Sequence, residues 1–165
     1  MKEKELANPD VVRYLVNRFN LRMSKKWGQN FLISPQIIRN IAAVSGLEEG
    51  DPVLEIGPGI GTLTQGLAEL GADVTAVEID SRLLPVLNKT LAVYDNVHII
   101  HGDILKTDIE REMGPEPFTV CANLPYYITT PIIMRLLEER HAVKRMVVMV
   151  QKEVAERMIA APGNR

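Results

Sequence analysis

Asn123-Leu124-Pro125-Tyr126 brings together a side-chain amide, a carbonyl followed by proline, and an aromatic ring. Proline fixes its own φ and restricts the residue before it, so the Leu124 carbonyl is held in place. That carbonyl and the Asn123 amide oxygen form a pair of acceptors, and Tyr126 offers a face on which an extruded base can stack. Such a set suits an exocyclic aromatic amine, such as that of adenine. The lone pair of that nitrogen is delocalised into its ring. Two acceptors gripping its two N–H groups help it pyramidalise and release the lone pair toward an electrophilic methyl. No general base is needed before attack, because the amine becomes acidic only as the methyl arrives. Catalysis is then positioning plus placed acceptors. Elsewhere in a fold the same four residues would read as a strand-terminating turn with a packed tyrosine.

A second group is a glycine run with two carboxylates downstream. Gly57, Gly59 and Gly61 occupy alternate positions in Val53-Leu-Glu-Ile-Gly-Pro-Gly-Ile-Gly-Thr62. An apolar run precedes them, and Leu63, Leu67 and Leu70 follow at helical spacing. A strand passing through a glycine loop into a helix lets a nucleotide-like ligand lie almost against the backbone, over the helix N-terminus. Glu78 comes 21 residues after Gly57, near the offset at which a carboxylate takes two ribose hydroxyls. Asp103, in His101-Gly-Asp-Ile104, sits similarly after a third strand and could accept from an adenine amino group; Gly-Asp is also an ordinary turn pair. The glycine pattern and the carboxylates do not choose between NAD and S-adenosylmethionine. Thr62 stands where the dinucleotide fingerprint has its third glycine, and the chemistry at Asn123 favours a methyl donor.

The elements that must position these groups alternate from residue 52 onward. Strands are expected at 53–56, 73–77, 97–100, 118–122 and 145–150. Helices are expected near 61–70 (with Gly71 as C-cap), 82–93, 105–113, 131–140 and 152–160. This alternation predicts βαβ units and a parallel sheet covered on both faces. Ahead of it, Asn8-Pro9 reads as the start of a helix with Val12, Leu15, Val16 and Phe19 on one face. Ser34-Pro35 starts a second helix, with Ile37, Ile38 and Ile41 inward and Gly46 closing it. The expected organisation is a helical extension and cofactor-contacting segment at 1–50 and a Rossmann-like core at 51–165.

The 165 residues suit one domain, and a hydrophobic content of 46% is enough for a core. The formal net charge of −2 excludes a uniformly basic nucleic-acid binder. Residues 1–40 nevertheless carry eight Lys/Arg against three Asp/Glu, and the remainder carries eleven against eighteen. A basic leading segment could guide an RNA or DNA backbone. Cys121 is the single cysteine, so no intrachain disulfide can form. No apolar run reaches the roughly 20 residues that span a bilayer, and the start Met-Lys-Glu-Lys-Glu lacks the apolar region of a signal peptide. A cytoplasmic protein without membrane contact is expected.

Gly28-Gln-Asn-Phe-Leu32, Leu54-Glu-Ile-Gly-Pro-Gly-Ile-Gly-Thr62, Ala76-Val-Glu-Ile-Asp80, Gly102-Asp103 and Asn123-Leu-Pro-Tyr-Tyr-Ile-Thr-Thr-Pro131 together resemble the KsgA family. These are the small-subunit ribosomal RNA adenine dimethyltransferases. Val150-Gln-Lys-Glu-Val154 is also similar to that family's fifth-strand segment. The resemblance runs from about residue 8 to the end. It implies a class I methyltransferase fold, S-adenosyl-L-methionine as cofactor, and no metal. It also implies dimethylation of two adjacent adenines in a hairpin near the 3′ end of small-subunit RNA, by a monomer acting on immature small subunits. By position, Asn30 and Leu32 would contact the cofactor, an assignment the pattern of that segment does not itself make. Gly57 would approach the methionine part, Glu78 the ribose and Asp103 the adenine, and Asn123 would lie between cofactor and target amine. Gly59, Ile79 and Ile104 complete the expected cofactor-binding set; Asn123, Leu124, Pro125 and Tyr126 are the expected catalytic set. The family continues through two more strands and a small helical domain that helps bind RNA. The chain is therefore expected to be the front part of something longer, truncated before those strands and without the C-terminal helical domain.

Other readings remain open from the sequence. The related Erm group methylates an adenine in large-subunit RNA, and DNA adenine methyltransferases share Asn-x-Pro-Tyr. An RNA-binding assembly module could bind the cofactor without turnover. A nicotinamide dehydrogenase would bind NAD instead.

Overall fold

The computed structural model describes residues 5–21, 34–124, 127–139, 142–161 and 163. The leading segment supplies two helices, α1 (Pro9–Arg18) and α2 (Pro35–Ser45). Asn8 caps α1 by accepting from the Asp10 N–H, with Pro9 at the first turn. Gly46 ends α2 in the left-handed region at φ +59°.

Five strands follow, β1 (Pro52–Ile56), β2 (Asp73–Glu78), β3 (Val97–His101), β4 (Phe118–Asn123) and β5 (Val143–Met149). They alternate with α3 (Thr62–Glu69), α4 (Leu84–Thr90), α5 (Ile109–Met113), α6 (Thr129–Glu138) and α7 (Lys152–Ile159). The strands form one parallel sheet in the order β3-β2-β1-β4-β5. Strand order reverses between β1 and β4, so the carboxyl ends of these two strands flank the crevice where open α/β sheets take ligands. The structure is a Rossmann-like, doubly wound α/β arrangement.

Each face of the sheet has its own core. Leu54, Ile56, Val77, Val120 and Ala122 pack under Ile132, Ile133 and Leu136 of α6. Val53, Val74, Ala76 and Cys121 pack under Ile38 and Ile41 of α2 and Leu63 and Leu67 of α3. A third cluster joins Leu6 and Leu15 to Ile60 of the glycine loop and to Leu83, Val86, Leu87 and Leu91. The central strands β1, β2 and β4 are mostly buried, whereas β3 and β5, at the edges, are half-buried or exposed along their length.

Several boundaries differ from the sequence reading, each for a local reason. The helix expected over 82–93 begins as a 3-10 turn at Ser81–Leu83, capped by Asp80, and ends at Thr90. Beyond it, the Tyr94 N–H turns back to Leu91 O, and the Asn96 side chain donates to Ala68 O and Ala72 O. The helix expected from 105 starts only at Ile109, because a tight turn at 103–107 precedes the Asp108 cap. The last residue of α3 is capped by Leu70, with Gly71 one position further on at φ +82°. Thr129 rather than Pro131 opens α6, and β5 begins two residues earlier than expected.

Candidate cofactor and acceptor site

All the predicted site residues that the structure describes lie on one rim, at the carboxyl ends of the strands. Parallel register sets their order. Val77 pairs Ile56 and Ile100, Glu78 pairs His101, and Ala122 pairs Ile56 on the other side. Asp103 with Ile104 therefore follows β3, Glu78 with Ile79 ends β2, Gly57 and Gly59 follow β1, and Asn123 with Leu124 ends β4. Three strand spacings separate the first of these from the last, a span of about 14 Å.

The glycine loop is fastened from both sides. The Gly57 N–H donates to Val77 O at 3.0 Å. The Thr90 hydroxyl donates to Ile60 O at 3.1 Å. Gly57 has φ +68°, and a Cβ built there would meet nothing within 4 Å among the described residues. The backbone at that point borders open space, as a ligand lying against it requires. Gly61 is glycine for a different reason, since at φ +92° its Cβ would press on Leu91 at 3.2 Å.

Glu78 is almost fully enclosed and its carboxylate is oriented by the backbone. The Gly59 N–H donates to Oε2 at 3.1 Å, and the Asp80 N–H donates to Oε1 at 2.8 Å. Burial lifts its pKa above the ordinary carboxylate value, and the N–H groups of Asp80 and Gly59 pull it back. Each oxygen retains a lone pair for a further donor, so both hydroxyls of a ribose can be accepted.

Asp103 is shaped by its own turn. Its Oδ1 accepts from the Leu105 N–H at 3.0 Å, and its backbone carbonyl accepts from Lys106, Thr107 and the Thr107 hydroxyl. Oδ2 faces the Lys106 ammonium at 4.0 Å. Ile104 is buried in the core below. Across the crevice, Leu124 is buried, and its N–H donates to Met149 O at 3.3 Å. Asn123 is half-buried at the last position of β4. Pro125, Tyr126, Asn30 and Leu32 lie outside the described residues.

Three features were not assigned from sequence. Glu55 faces α3 from the middle of β1, 1% exposed, and its pKa is pushed up to about 8 by burial. The nearby Thr64 hydroxyl offsets part of that rise, and the charge of Glu78 adds to it. Glu55 Oε2, Thr62 Oγ1 and Thr64 Oγ1 are buried without a hydrogen-bond partner among the described residues. A charged residue inside Val-Leu-Glu-Ile was the available signal. Tyr127, half-exposed, lies close enough to Asp103 for that charge, after burial, to raise the phenol's pKa. Arg135 reaches from α6 to the carbonyls of Ile104 and Thr107.

An S-adenosyl group fits these residues. The open Gly57 backbone would form its cradle, and the Glu78 carboxylate is aimed by two N–H groups. Among the described residues, no group of three or more His, Cys, Asp or Glu could hold a metal ion, and no helix is long and apolar enough to cross a membrane.

The sequence pattern of a family described as ribosomal RNA adenine dimethylase matches residues 20–165. The chain is 49% identical over 168 residues to the ribosomal RNA small subunit methyltransferase A of Bacillus licheniformis, covering 98% of this chain and 57% of that protein. Among solved structures it is similar to a dimethyladenosine transferase from Plasmodium falciparum, with TM-score 0.68 and 37% identity over 79% of this chain and 46% of that one. It is also similar to the 23S rRNA methyltransferase ErmE, with TM-score 0.68 and 36% identity over 77% of this chain and 50% of that one. The chain spans 57% of the length of the first curated relatives it matches.

Proposed function

The chain belongs to the ribosomal RNA adenine dimethylase family, and from that premise we propose that it serves the methylation of small-subunit ribosomal RNA. The reaction is dimethylation of the N6 amines of two adjacent adenines in a hairpin near the 3′ end, with S-adenosyl-L-methionine as donor. The protein acts as a cytoplasmic monomer on immature small subunits during ribosome biogenesis.

The observation that carries this reading is the order of groups along the rim. Asp103, Glu78, Gly57 and Asn123 stand on four adjacent strands in the sequence β3, β2, β1, β4. Adenine, ribose, methionine and target amine follow in that same order in a donor meeting its acceptor. When bound, S-adenosylmethionine supplies an electrophilic methyl on a sulfonium centre. Asp103 would take the adenine amino group, and Ile104 follows it in the same turn. Glu78 holds the ribose diol, with Ile79 beside it, and Gly57 and Gly59 let the methionine part approach the backbone. At β4, the Asn123 amide oxygen and the Leu124 carbonyl accept the two N–H groups of the incoming adenine. Pro125 holds that carbonyl and Tyr126 stacks on the base. Asn30 and Leu32 would contact the cofactor.

The test is methyl transfer from S-adenosylmethionine to small subunits lacking their adenine methylation, read by mass spectrometry of the digested RNA. Dimethyladenosine at two adjacent positions is expected. The similarity to ErmE supports a second reading, a large-subunit adenine as target. Methyl incorporation into large-subunit RNA, with small subunits left unmodified, would favour it.

A further inference from the structure

The loop carrying Asp103 is already closed by its own hydrogen bonds. Asp103 O accepts from the Lys106 N–H at 2.8 Å, the Thr107 N–H at 2.9 Å and the Thr107 hydroxyl at 2.9 Å. Its Oδ1 accepts from Leu105 N–H. These bonds set the shape of the turn. They do not set where the turn sits relative to the rest of the rim.

The Gly102 N–H donates to Glu78 O at 2.9 Å and ties the residue before the turn to β2; the tie to the helix beyond β4 comes from a side chain of another element. Arg135, in the last turn of α6, is mostly enclosed, with 16% of its side chain exposed. Its Nη1 donates to Ile104 O and its Nη2 to Thr107 O at 2.9 Å. Its Nε donates to both carboxylate oxygens of Glu139 at 2.9 Å. A planar guanidinium with five donors in a fixed fork can serve two carbonyls and a carboxylate at once; a lysine cannot. Glu139 holds the fork in plane, and the fork holds both ends of the turn. The helix it reaches from starts at Thr129, shortly after Asn123. Tyr127, between them, lies close enough to feel the charge of Asp103. The turn after β3 and the segment after β4 are thereby registered to each other across two intervening strands.

We propose that Arg135 is a positioning residue that fixes the Asp103–Thr107 turn against α6, so that the Asp103 carboxylate is aimed at the amino group of the cofactor's adenine while Asn123 faces the target amine. This rests on the cofactor reading above and goes beyond it. The reaction chemistry is unchanged. What Arg135 adds is discrimination at the base.

Binding of S-adenosylhomocysteine and of its analogue lacking the 6-amino group, measured by calorimetry, tests this directly. The wild type is expected to favour the amino-bearing ligand by roughly tenfold, the worth of a charge-assisted hydrogen bond. Arg135→Gln is expected to reduce that preference to about twofold, with affinity for the analogue changed by no more than about twofold. Arg135→Lys keeps the charge and can reach one carbonyl, so it should recover part of the preference. A merely structural role would weaken both ligands in parallel and leave their ratio alone; that result overturns the proposal. An unaltered ratio and unaltered affinities overturn it as well. If the wild type bound neither ligand, the cofactor reading would fall first and the proposal with it.

Discussion

The Gly59 N–H donates to Glu78 Oε2 at 3.1 Å, so the loop after β1 is fastened to the carboxylate that ends β2. The Asp80 N–H takes the other oxygen at 2.8 Å. The carboxylate is thus aimed before any ligand arrives, and the ordering cost is met in folding rather than in binding. Glu78→Ala removes both carboxylate oxygens proposed to accept the ribose diol, and with them a support of the glycine loop. Cofactor affinity should fall by roughly 100-fold, near 3 kcal/mol for two charge-assisted hydrogen bonds. Unchanged calorimetric affinity would remove Glu78 from the site.

Gly57→Ala separates ligand space from backbone strain. At φ +68° an alanine costs about 1–2 kcal/mol in strain. Its methyl meets nothing within 4 Å among the described residues, so no steric loss of stability is added from them. The methyl instead occupies the surface where the cofactor is proposed to lie. A drop in melting temperature of a few degrees, about 2–8 °C, should accompany a loss of cofactor binding well beyond tenfold. Retained binding would place the ligand elsewhere on the loop.

Asn123 is a prediction about turnover rather than affinity. Asn123→Ala should abolish methyl transfer, since one of the two proposed acceptors for the target amine is gone. Tyr126→Ala should reduce transfer more than cofactor binding, and Tyr126→Phe much less, because stacking needs only the ring. A phenylalanine variant as defective as alanine would assign the role to the hydroxyl.

Glu55 predicts a pH dependence of stability. Its pKa rises from the ordinary 4.5 to about 8 because burial penalises the charged form. The folded state therefore keeps a proton that the unfolded state releases above 4.5. Stability contributed by the neutral acid is complete below that value, declines as pH rises toward 8, and is fully lost above it. The slope from this one group is on the order of 1 kcal/mol per pH unit inside the window. Glu55→Gln, neutral throughout, should flatten the curve between pH 5 and 8, and denaturant titrations of both proteins at several pH values would show it. Parallel curves would mean that the carboxyl is ionised in the fold.

The rim was legible because its parts are local. Val53–Ile56 with alternate glycines, Glu78 after β2 and Asn123 after β4 each announce themselves within a few residues, and the βαβ alternation forces them to one end of the sheet. The polar turn at 103–107 was less so. A helix was expected near 105–113, but Asp103 bonding to Leu105 competes with helix formation and delays it to the Asp108 cap. The role of Arg135 could not be read. Its ion pair with Glu139 is local, but the backbone carbonyls it holds lie 31 and 28 residues away, and a carbonyl has no identity in a sequence. Glu55 was visible as a charge within an apolar run, but its enclosure depends on α3 packing over β1, which no neighbouring residue states.

Strand order also dictates a schedule for assembly. Val53 at the centre of the sheet pairs on one side with Val74, a near neighbour in the chain, and on the other with Thr119, far beyond it. The first pairing closes a short loop; the second must wait until β2, β3 and their helices have emerged, at a larger entropic cost. As the chain leaves a ribosome, the glycine loop and Glu78 can come together while β1 still presents an open edge. Asn123 reaches its place only when β4 docks on that edge. Capacity to hold the donor thus precedes capacity to present an acceptor, and a chain stalled between the two stages exposes an unpaired central strand to other chains.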